Sequence, residues 1–301
     1  MADQHILLTG ANGFLGRYLK SSLLRSGALE TLARSRATYN VDLASAMPPL
    51  GGSYDLVVHS AGKAHVVPTD AIEAQKFFNV NVRGTQNLLK ALELTAVRPK
   101  AFVFISSVSV YGLELGTNIP ETHQLNATDP YGKSKIQAEE LVAAWCKENQ
   151  VICTILRLPL IVGKDAPGNL GSMINSIRKG YYFNIAGGTA RKSMVLAQDV
   201  ADIIVTASSV GGIFNLTDGF HPNFNELSAE IAKKLNKSTP SLNLPLGLAK
   251  LLGKIGDLLG ERAPVNSRKM QKITSDLTFN DDHARRTINW NPTPVLRGLE
   301  I

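Results

Sequence analysis

Two cysteines in 301 residues, Cys146 and Cys153, are too few for a disulfide framework. Neither belongs to a CxxC pair or stands at metal-ligand spacing from a histidine, so no metal is expected, and both read as buried or idle thiols of a reducing compartment. No apolar run approaches the roughly 18 residues that a membrane span requires. The start, Met1-Ala2-Asp3-Gln4-His5, has no basic stretch ahead of an apolar core, so no secretory signal is expected and a cytoplasmic location is. Aromatic residues are scarce at 6%, and the basic residues are scattered rather than gathered in a stripe. With neither a stacking platform nor a concentrated basic surface, nucleic-acid binding is not expected. Lys plus Arg still exceed Asp plus Glu by 32 − 25 = 7. That excess fits a generally basic surface, with a lean toward small anionic ligands.

What remains is an ordinary globular balance, 44% hydrophobic and 19% charged, without repeats or low-complexity segments. The length suits one large or two unequal domains. Short apolar runs at residues 5–9, 29–33, 55–59, 101–105 and 151–156 alternate with helical patterns, including residues 80–94 and the stretch that holds Tyr131. Continuous apolar strands separated by helices predict an α/β fold with a parallel sheet covered on both faces. After about residue 165 the pattern changes. Gly and Asn cluster at 163–171, a helix is expected at 173–178, and strands are expected at 181–185, 194–196 and 213–216, the later ones extending the sheet. The expected division is a dinucleotide-binding domain over 1–165, its sheet completed near 193–216, and a smaller, mainly C-terminal substrate domain over 166–301. Apolar residues recur at helical spacing at Leu244, Leu248, Leu251, Leu252, Ile255, Leu258 and Leu259. This stripe is expected to pack in a core or domain interface, with an oligomer contact or a membrane-surface helix as alternatives.

The turn Thr9-Gly10-Ala11-Asn12-Gly13-Phe14-Leu15-Gly16 lies between the first strand and the first helix. Glycines there permit a tight turn, close approach of backbone to a pyrophosphate, and helix-on-strand packing. The helix start then offers free N–H groups and a positive dipole end to the phosphates. This is a Rossmann-type turn in its required context, a doubly wound parallel sheet. An acidic residue at the end of the second strand would select NAD by binding the ribose 2′-hydroxyl. None is there. Ala33-Arg34-Ser35-Arg36 offers two guanidiniums and a hydroxyl, a clamp for a 2′-phosphate, so NADP(H) is favoured over NAD(H). Tyr131 and Lys135 are four residues apart, so on a helix they share a face. An ammonium beside a phenol lowers its pKa and would make Tyr131 a proton shuttle for alcohol–ketone chemistry.

Further segments line up in order: Val41-Asp42-Leu43, His59-Ser60-Ala61-Gly62, Asn81-Val82-Arg83-Gly84-Thr85, residues 104–112, Tyr131-Gly132-Lys133-Ser134-Lys135, and a closing Leu277-Thr278-Phe279 … Ala284-Arg285 … Trp290-Asn291-Pro292. Over nearly the whole chain this resembles the extended short-chain dehydrogenase/reductases, the family of nucleotide-sugar epimerases, dehydratases and reductases. The resemblance implies that Gly10, Gly13 and Gly16, with Asn12, Phe14 and Leu15, hold the pyrophosphate. It places Asp42 and Leu43 at the adenine, Arg34, Ser35 and Arg36 at the ribose, and Ala61 and Gly62 against the cofactor. Asn81 matches the family's Asn of that motif, as a cofactor contact or as a structural hydrogen bond. Ser107 (rather than Ser106), Tyr131 and Lys135 match the catalytic set, Lys135 binding ribose hydroxyls and lowering the tyrosine pKa. Ser109 and Asn169 fall at the substrate, and Arg191 or Lys192 at its diphosphate. A loop histidine, His65, is a candidate for facing the sugar.

Where 4,6-dehydratases of this family carry an Asp-Glu pair, this chain has Val108 and Ser109, which cannot supply acid and base for loss of water. Two reactions stay open. The arginines favour an exchangeable NADPH, hence reduction of the 4-keto group of a UDP-linked 6-deoxy-N-acetylhexosamine in bacterial surface-polysaccharide synthesis. The second is a UDP-sugar 4-epimerase with tightly held NAD. A non-catalytic NADP-sensing regulator is the alternative of another class, and retention of Ser107, Tyr131 and Lys135 speaks against it. A nucleotide-sugar substrate and a homodimer formed partly through the Tyr131 helix are expected from the same resemblance.

Overall fold

A computed structural model describes residues 4–64, 68–240, 242–258 and 266–301. In chain order its strands are β1 (Gln4–Thr9), β2 (Gly27–Ala33), β3 (Tyr39–Asn40), β4 (Leu56–His59), β5 (Ala101–Ser107), β6 (Gly116–Ile119) and β7 (Ile152–Leu158). There follow β8 (Leu160–Val162), β9 (Asn184–Ile185), β10 (Met194–Leu196), β11 (Gly212–Asn215), β12 (Asn243–Leu244) and β13 (Leu277–Phe279). Helices α1 (Phe14–Leu23), α2 (Ala71–Phe78), α3 (Gly84–Glu93), α4 (Pro130–Glu148) and α5 (Gly168–Lys179) serve the first part of the chain. After them come α6 (Ala197–Val210), α7 (Phe224–Lys234), α8 (Leu246–Leu258), α9 (Ser267–Thr274) and α10 (Asp282–Ile288).

Seven strands form one sheet in the order β11-β7-β5-β4-β1-β2-β3, every neighbouring pair parallel. Residues of β4 and β5 are buried throughout, as continuous apolar runs at the centre of a two-sided sheet should be. On one face Leu15, Leu19 and Leu23 of α1 pack with Val200, Ile204 and Ala207 of α6. On the other, Leu88 and Leu92 of α3 join Ala138, Val142 and Trp145 of α4. The first of these cores also takes Phe214, Leu216, Ala284, Ile288 and Trp290, so the C-terminal third contributes to the sheet's own packing.

Three expectations are corrected. The helix expected at 80–94 starts at Ala71, where Asp70 caps it by accepting a hydrogen bond from Glu73 N at 2.8 Å, and it reaches α3 through a π turn at Asn79–Arg83. Of the two strands expected to extend the sheet, β11 does so beside β7, whereas β10 pairs with β8 outside it. Part of the apolar stripe of α8, Leu248, Leu251 and Ile255, faces solvent. Small residues, Ala249 and Gly253, face α9, and a Cβ on Gly253 would lie 3.2 Å from Met270 Cγ. That close packing turns Leu248, Leu251 and Ile255 outward, at 47, 54 and 50% exposure. Leu259, the last position of the stripe, lies outside the described residues.

Candidate active site

A cavity of about 1100 Å³ opens above the C-terminal ends of β1, β2, β4, β5 and β7. Ligands of open α/β sheets bind at this edge, because the strand ends and helix starts converge there. The turn after β1 is built for it. Gly10 has φ +73°, and a Cβ on it would meet Ala61 N at 2.6 Å. A Cβ on Gly16 would lie 2.0 Å from Gly10 O, so these two glycines let the turn, α1 and the β4 loop touch. Gly13 differs, because it lines the cavity and its absent Cβ would meet nothing of the protein nearer than Gly10 O at 3.2 Å. Gly13 is also the N-cap of α1, without a side-chain cap and without an acidic residue in the first turn. The orphan N–H groups of α1 are thus left for an anion on the cavity side. This arrangement fits the diphosphate of a dinucleotide.

Gly10, Asn12, Gly13, Phe14, Leu15, Arg34, Ser35, Asp42, Leu43, Ala61 and Gly62 all line the cavity. Asn12 Nδ2 donates to Ser35 O and ties the glycine turn to the end of β2. Among the residues expected at the cofactor, Gly16, Arg36 and Asn81 do not line the cavity. Gly16 is packed beneath the turn. Arg36 follows in left-handed backbone at φ +53° and is exposed. Asn81 is buried, with Oδ1 accepting from Lys63 N at 2.7 Å and Nδ2 donating to Lys63 O at 3.1 Å and Ser134 Oγ at 2.9 Å. Its side chain is fully used in joining the β4 loop to α4.

Asp129 and Pro130 start α4 immediately before Tyr131. The Asp129 carboxylate accepts from Gly132 N at 3.0 Å, and proline occupies the first turn, where its missing N–H costs nothing. Tyr131, Lys135, Ser107 and Ser109 all face the cavity. Burial pushes the Tyr131 phenol up from its ordinary value, a hydrogen bond with Ser107 opposes this, and the Asp129 charge adds a small rise. Ser107 Oγ donates to Ser109 Oγ at 3.1 Å and accepts from Ser109 N at 3.2 Å, which fixes the hydroxyl at the end of β5. Ser106 spends its own hydroxyl on Glu139 Oε1 at 2.5 Å.

Without a bound ligand, Lys135 is not among the groups that shift the Tyr131 phenol. Its Nζ donates to Ile105 O at 2.8 Å and lies 4.6 Å from the centre of the Phe104 ring. Burial lowers its pKa to about 8, against a small opposing pull from Glu139. A lysine whose folded pKa lies below its unfolded value costs stability wherever the folded state must hold the charge. The cost is fully present below about pH 8 and fades as pH rises toward the unfolded value near 10.4. Lys135→Met is therefore expected to stabilise the protein at pH 7, by on the order of 3 kcal/mol before loss of the Ile105 hydrogen bond is subtracted. Denaturant unfolding at pH 7 and pH 10 checks this, since the gain must shrink at the higher pH.

At the substrate end, Asn169 in the first turn of α5 and Lys192 line the cavity. Lys192 Nζ donates to Ser275 O at 2.8 Å, and burial lowers its pKa to about 8. Arg191 points elsewhere, donating to His221 O at 3.0 Å and standing 3.7 Å from Glu226. Of the two, Lys192 lines the cavity and Arg191 does not, because neighbouring residues of an extended segment face opposite sides. His65 lies outside the described residues. Lys63, Lys272 and Ile273 also line the cavity and were not anticipated. Lys63 directly follows the glycine of the β4 loop, a placement that the sequence offered, whereas nothing in the sequence brings α9 to this edge.

Two relatives match this chain over more than nine-tenths of their length. The chain is 29% identical to an Escherichia coli O157:H7 N-acetyl-alpha-D-glucosaminyl-diphospho-ditrans,octacis-undecaprenol 4-epimerase, over 99% of this chain and 94% of the relative. It is 30% identical to a Vibrio cholerae UDP-glucose 4-epimerase, over 97% of this chain and 92% of the relative. Among solved structures, RMD from Pseudomonas aeruginosa complexed with NADPH superposes with a TM-score of 0.74 at 20% identity, covering 98% and 95% of the two chains, which shows a shared fold. With residues 6–216 matching it, the chain belongs to the NAD dependent epimerase/dehydratase family, and is an enzyme of the nucleotide-sugar type.

Proposed function

We propose that this enzyme moves a hydride at C4 of a hexose derivative carried on a diphosphate, with Tyr131 moving the proton on the oxygen of the same carbon. The observation that carries this reading is the convergence of Ser107, Tyr131 and Lys135 on the cavity that also receives the open N-terminus of α1. A bound nicotinamide dinucleotide supplies the hydride chemistry. The α1 start, with Gly13, holds its diphosphate, and Asp42 and Leu43 flank its adenine. Lys135, with Gly62 leaving room beside its Nζ, binds ribose hydroxyls. Ser107 hydrogen-bonds the reacting oxygen and orients it toward Tyr131, while Ser109, Asn169 and Lys192 hold the substrate and its diphosphate. Val108 and Ser109 offer no carboxylate for elimination, so the chemistry stops at the alcohol–ketone step.

Epimerisation is placed first, since two 4-epimerases match over nearly their whole lengths. This reverses the order that the arginines alone suggest, and the loss of Arg36 from the pocket wall weakens the clamp they were to form. Reduction of a UDP-linked 4-keto-6-deoxy-N-acetylhexosamine by NADPH is the second reading, favoured by Arg34 and Ser35 at the end of β2 with no carboxylate beside them. Incubation with UDP-N-acetylglucosamine and with the 4-keto sugar nucleotide, each with and without NADPH, separates them. Interconversion of 4-epimers without net cofactor use is expected; stoichiometric NADPH loss with the keto sugar would move the reading to the reductase. Conversion of neither overturns both readings for nucleotide-linked sugars.

Arg34→Ala is expected to weaken NADPH binding roughly 10–100-fold while leaving NADH binding unchanged, the loss of charge-assisted hydrogen bonds to a phosphate. Fluorescence titration with both cofactors checks it. Equal effects on the two, or a clear NAD preference in the parent protein, remove the clamp.

A further inference from the structure

The outward face of α8 continues into a larger apolar surface. Leu248, Leu251 and Ile255 recur at helical spacing and are about half exposed. At the foot of the helix, β12 pairs with β9, and Asn184 N donates to Leu242 O at 3.0 Å, which brings Leu242 beside Phe183. Leu242 is 67% exposed, Phe183 46% and Tyr181 60%. Exposed apolar patches of this kind mark interaction sites.

The charge around this patch is mostly positive; Asp257 at the end of α8 and Glu230, which pairs with Lys233 and Lys234, are its acidic neighbours. Residues 166–198 hold Arg178, Lys179, Arg191 and Lys192 with no acidic residue, and residues 231–256 hold Lys233, Lys234, Lys237, Lys250 and Lys254, again with none. Lys250 and Lys254 are exposed on α8, turned to the flank of its apolar stripe, and Arg178 and Lys179 are exposed immediately before Tyr181. Leucine and isoleucine on one arc, lysine on its border and an aromatic pair at the edge make an interfacial surface rather than a spanning one. Within the described residues no helix is long and apolar enough to cross a membrane. The patch also adjoins the substrate end of the cavity. α8 packs on α9, and α9 contributes Lys272 and Ile273 to the cavity wall.

We propose that this face seats on an anionic lipid bilayer and that the cavity takes its sugar diphosphate from a lipid carrier in that bilayer. Burial of the apolar arc supplies non-specific affinity, and each lysine near the surface multiplies it roughly fivefold. The diphosphate of a membrane-held substrate would then lie at headgroup level, within reach of Lys192 and Lys272. What the bilayer delivers rests on the C4 reading above, whereas docking is read without turnover, so the two fail separately.

The test is co-sedimentation of the full chain with phosphatidylcholine vesicles prepared with and without phosphatidylglycerol. The parent protein is expected to partition at least about tenfold more strongly onto the anionic vesicles, with the difference lost at high salt. Leu251→Glu with Ile255→Glu is expected to abolish binding, and Lys250→Glu with Lys254→Glu to remove the anionic preference. All four positions are exposed, so turnover of a soluble sugar nucleotide should be unchanged in both variants. No vesicle binding, or binding indifferent to these substitutions, overturns the proposal. So does light scattering that shows a parent dimer converted to monomer by Leu251→Glu with Ile255→Glu, since the face would then belong to a second copy.

Discussion

Tyr131→Phe is expected to lower turnover by about 10²–10⁴-fold, the usual contribution of a positioned proton donor, and to leave cofactor affinity nearly unchanged. The substitution removes one hydroxyl and keeps the ring, whose centre lies 6.0 Å from that of Phe77 on α2, so the packing of α4 survives. Its phenol is held protonated by burial, with Ser107 as the opposing hydrogen bond. A protonated phenol suits donation to a ketone oxygen, whereas taking the proton from an alcohol requires the lowered pKa that a bound cofactor and Lys135 would provide. The rise in the Tyr131 pKa therefore describes a resting site, and turnover should climb as pH approaches the phenol's working value in the complex. Ser107→Ala should cost less than Tyr131→Phe, because it removes a hydrogen bond to the reacting oxygen and leaves the proton donor in place. Single-turnover rates and cofactor titrations on both variants decide the matter. Undiminished turnover in Tyr131→Phe sinks the assignment, and a parallel collapse of cofactor binding would mean that the ring, not the hydroxyl, is what the site needs.

How legible this was depended on whether the cause was local. The parallel sheet could be read because β1, β4, β5 and β7 are continuous apolar runs, which only a sheet covered on both faces buries. Gly10 and Gly13 could be read because a phosphate turn constrains consecutive residues. Asn81, Arg36 and Arg191 could not be placed, since each is set by partners far away in sequence or by one backbone angle. Asn81 is decided by Lys63 and Ser134, Arg191 by His221 and Glu226, and Arg36 by its positive φ. The same holds for α8. A helical stripe of leucine announces an amphipathic helix but not which side meets the protein, and here Ala249 and Gly253 win because small residues allow α9 to come close. Lys135 shows the limit of spacing as evidence. Its i to i+4 relation to Tyr131 holds, yet the carbonyl of Ile105 takes the ammonium.

The second large effect is expected beneath the site, in a buried ion pair. Arg157 on β7 and Glu139 on α4 are buried, with Nη2 donating to Oε2 at 2.7 Å and Nε to Oε1 at 3.1 Å. Ser106 Oγ also donates to Glu139, and Arg157 Nη1 donates to Tyr111 OH and to Glu121 O, both at 3.1 Å. Tyr111 in turn donates to Asn215 Oδ1 at 2.8 Å, which extends the network to the edge strand β11. Glu139 stands one helical turn past Lys135, and Ser106 precedes Ser107, so this network fixes from below the two elements that carry Lys135 and Ser107. Arg157→Met keeps the bulk and leaves the carboxylate buried without its cation, a loss of about 3–5 kcal/mol for a pair this deep. For a chain of this size that lowers Tm by on the order of 10 °C. The double change Arg157→Met with Glu139→Gln should recover a good part of the loss, because it removes the stranded charge along with its partner. Thermal and denaturant unfolding of the two single variants and the double one forms the cycle. If the double variant is as unstable as the sum of the singles, the damage lies in the hydrogen bonds to Tyr111 and Glu121 rather than in the uncompensated charge, and the ion pair is not what holds β7 to α4.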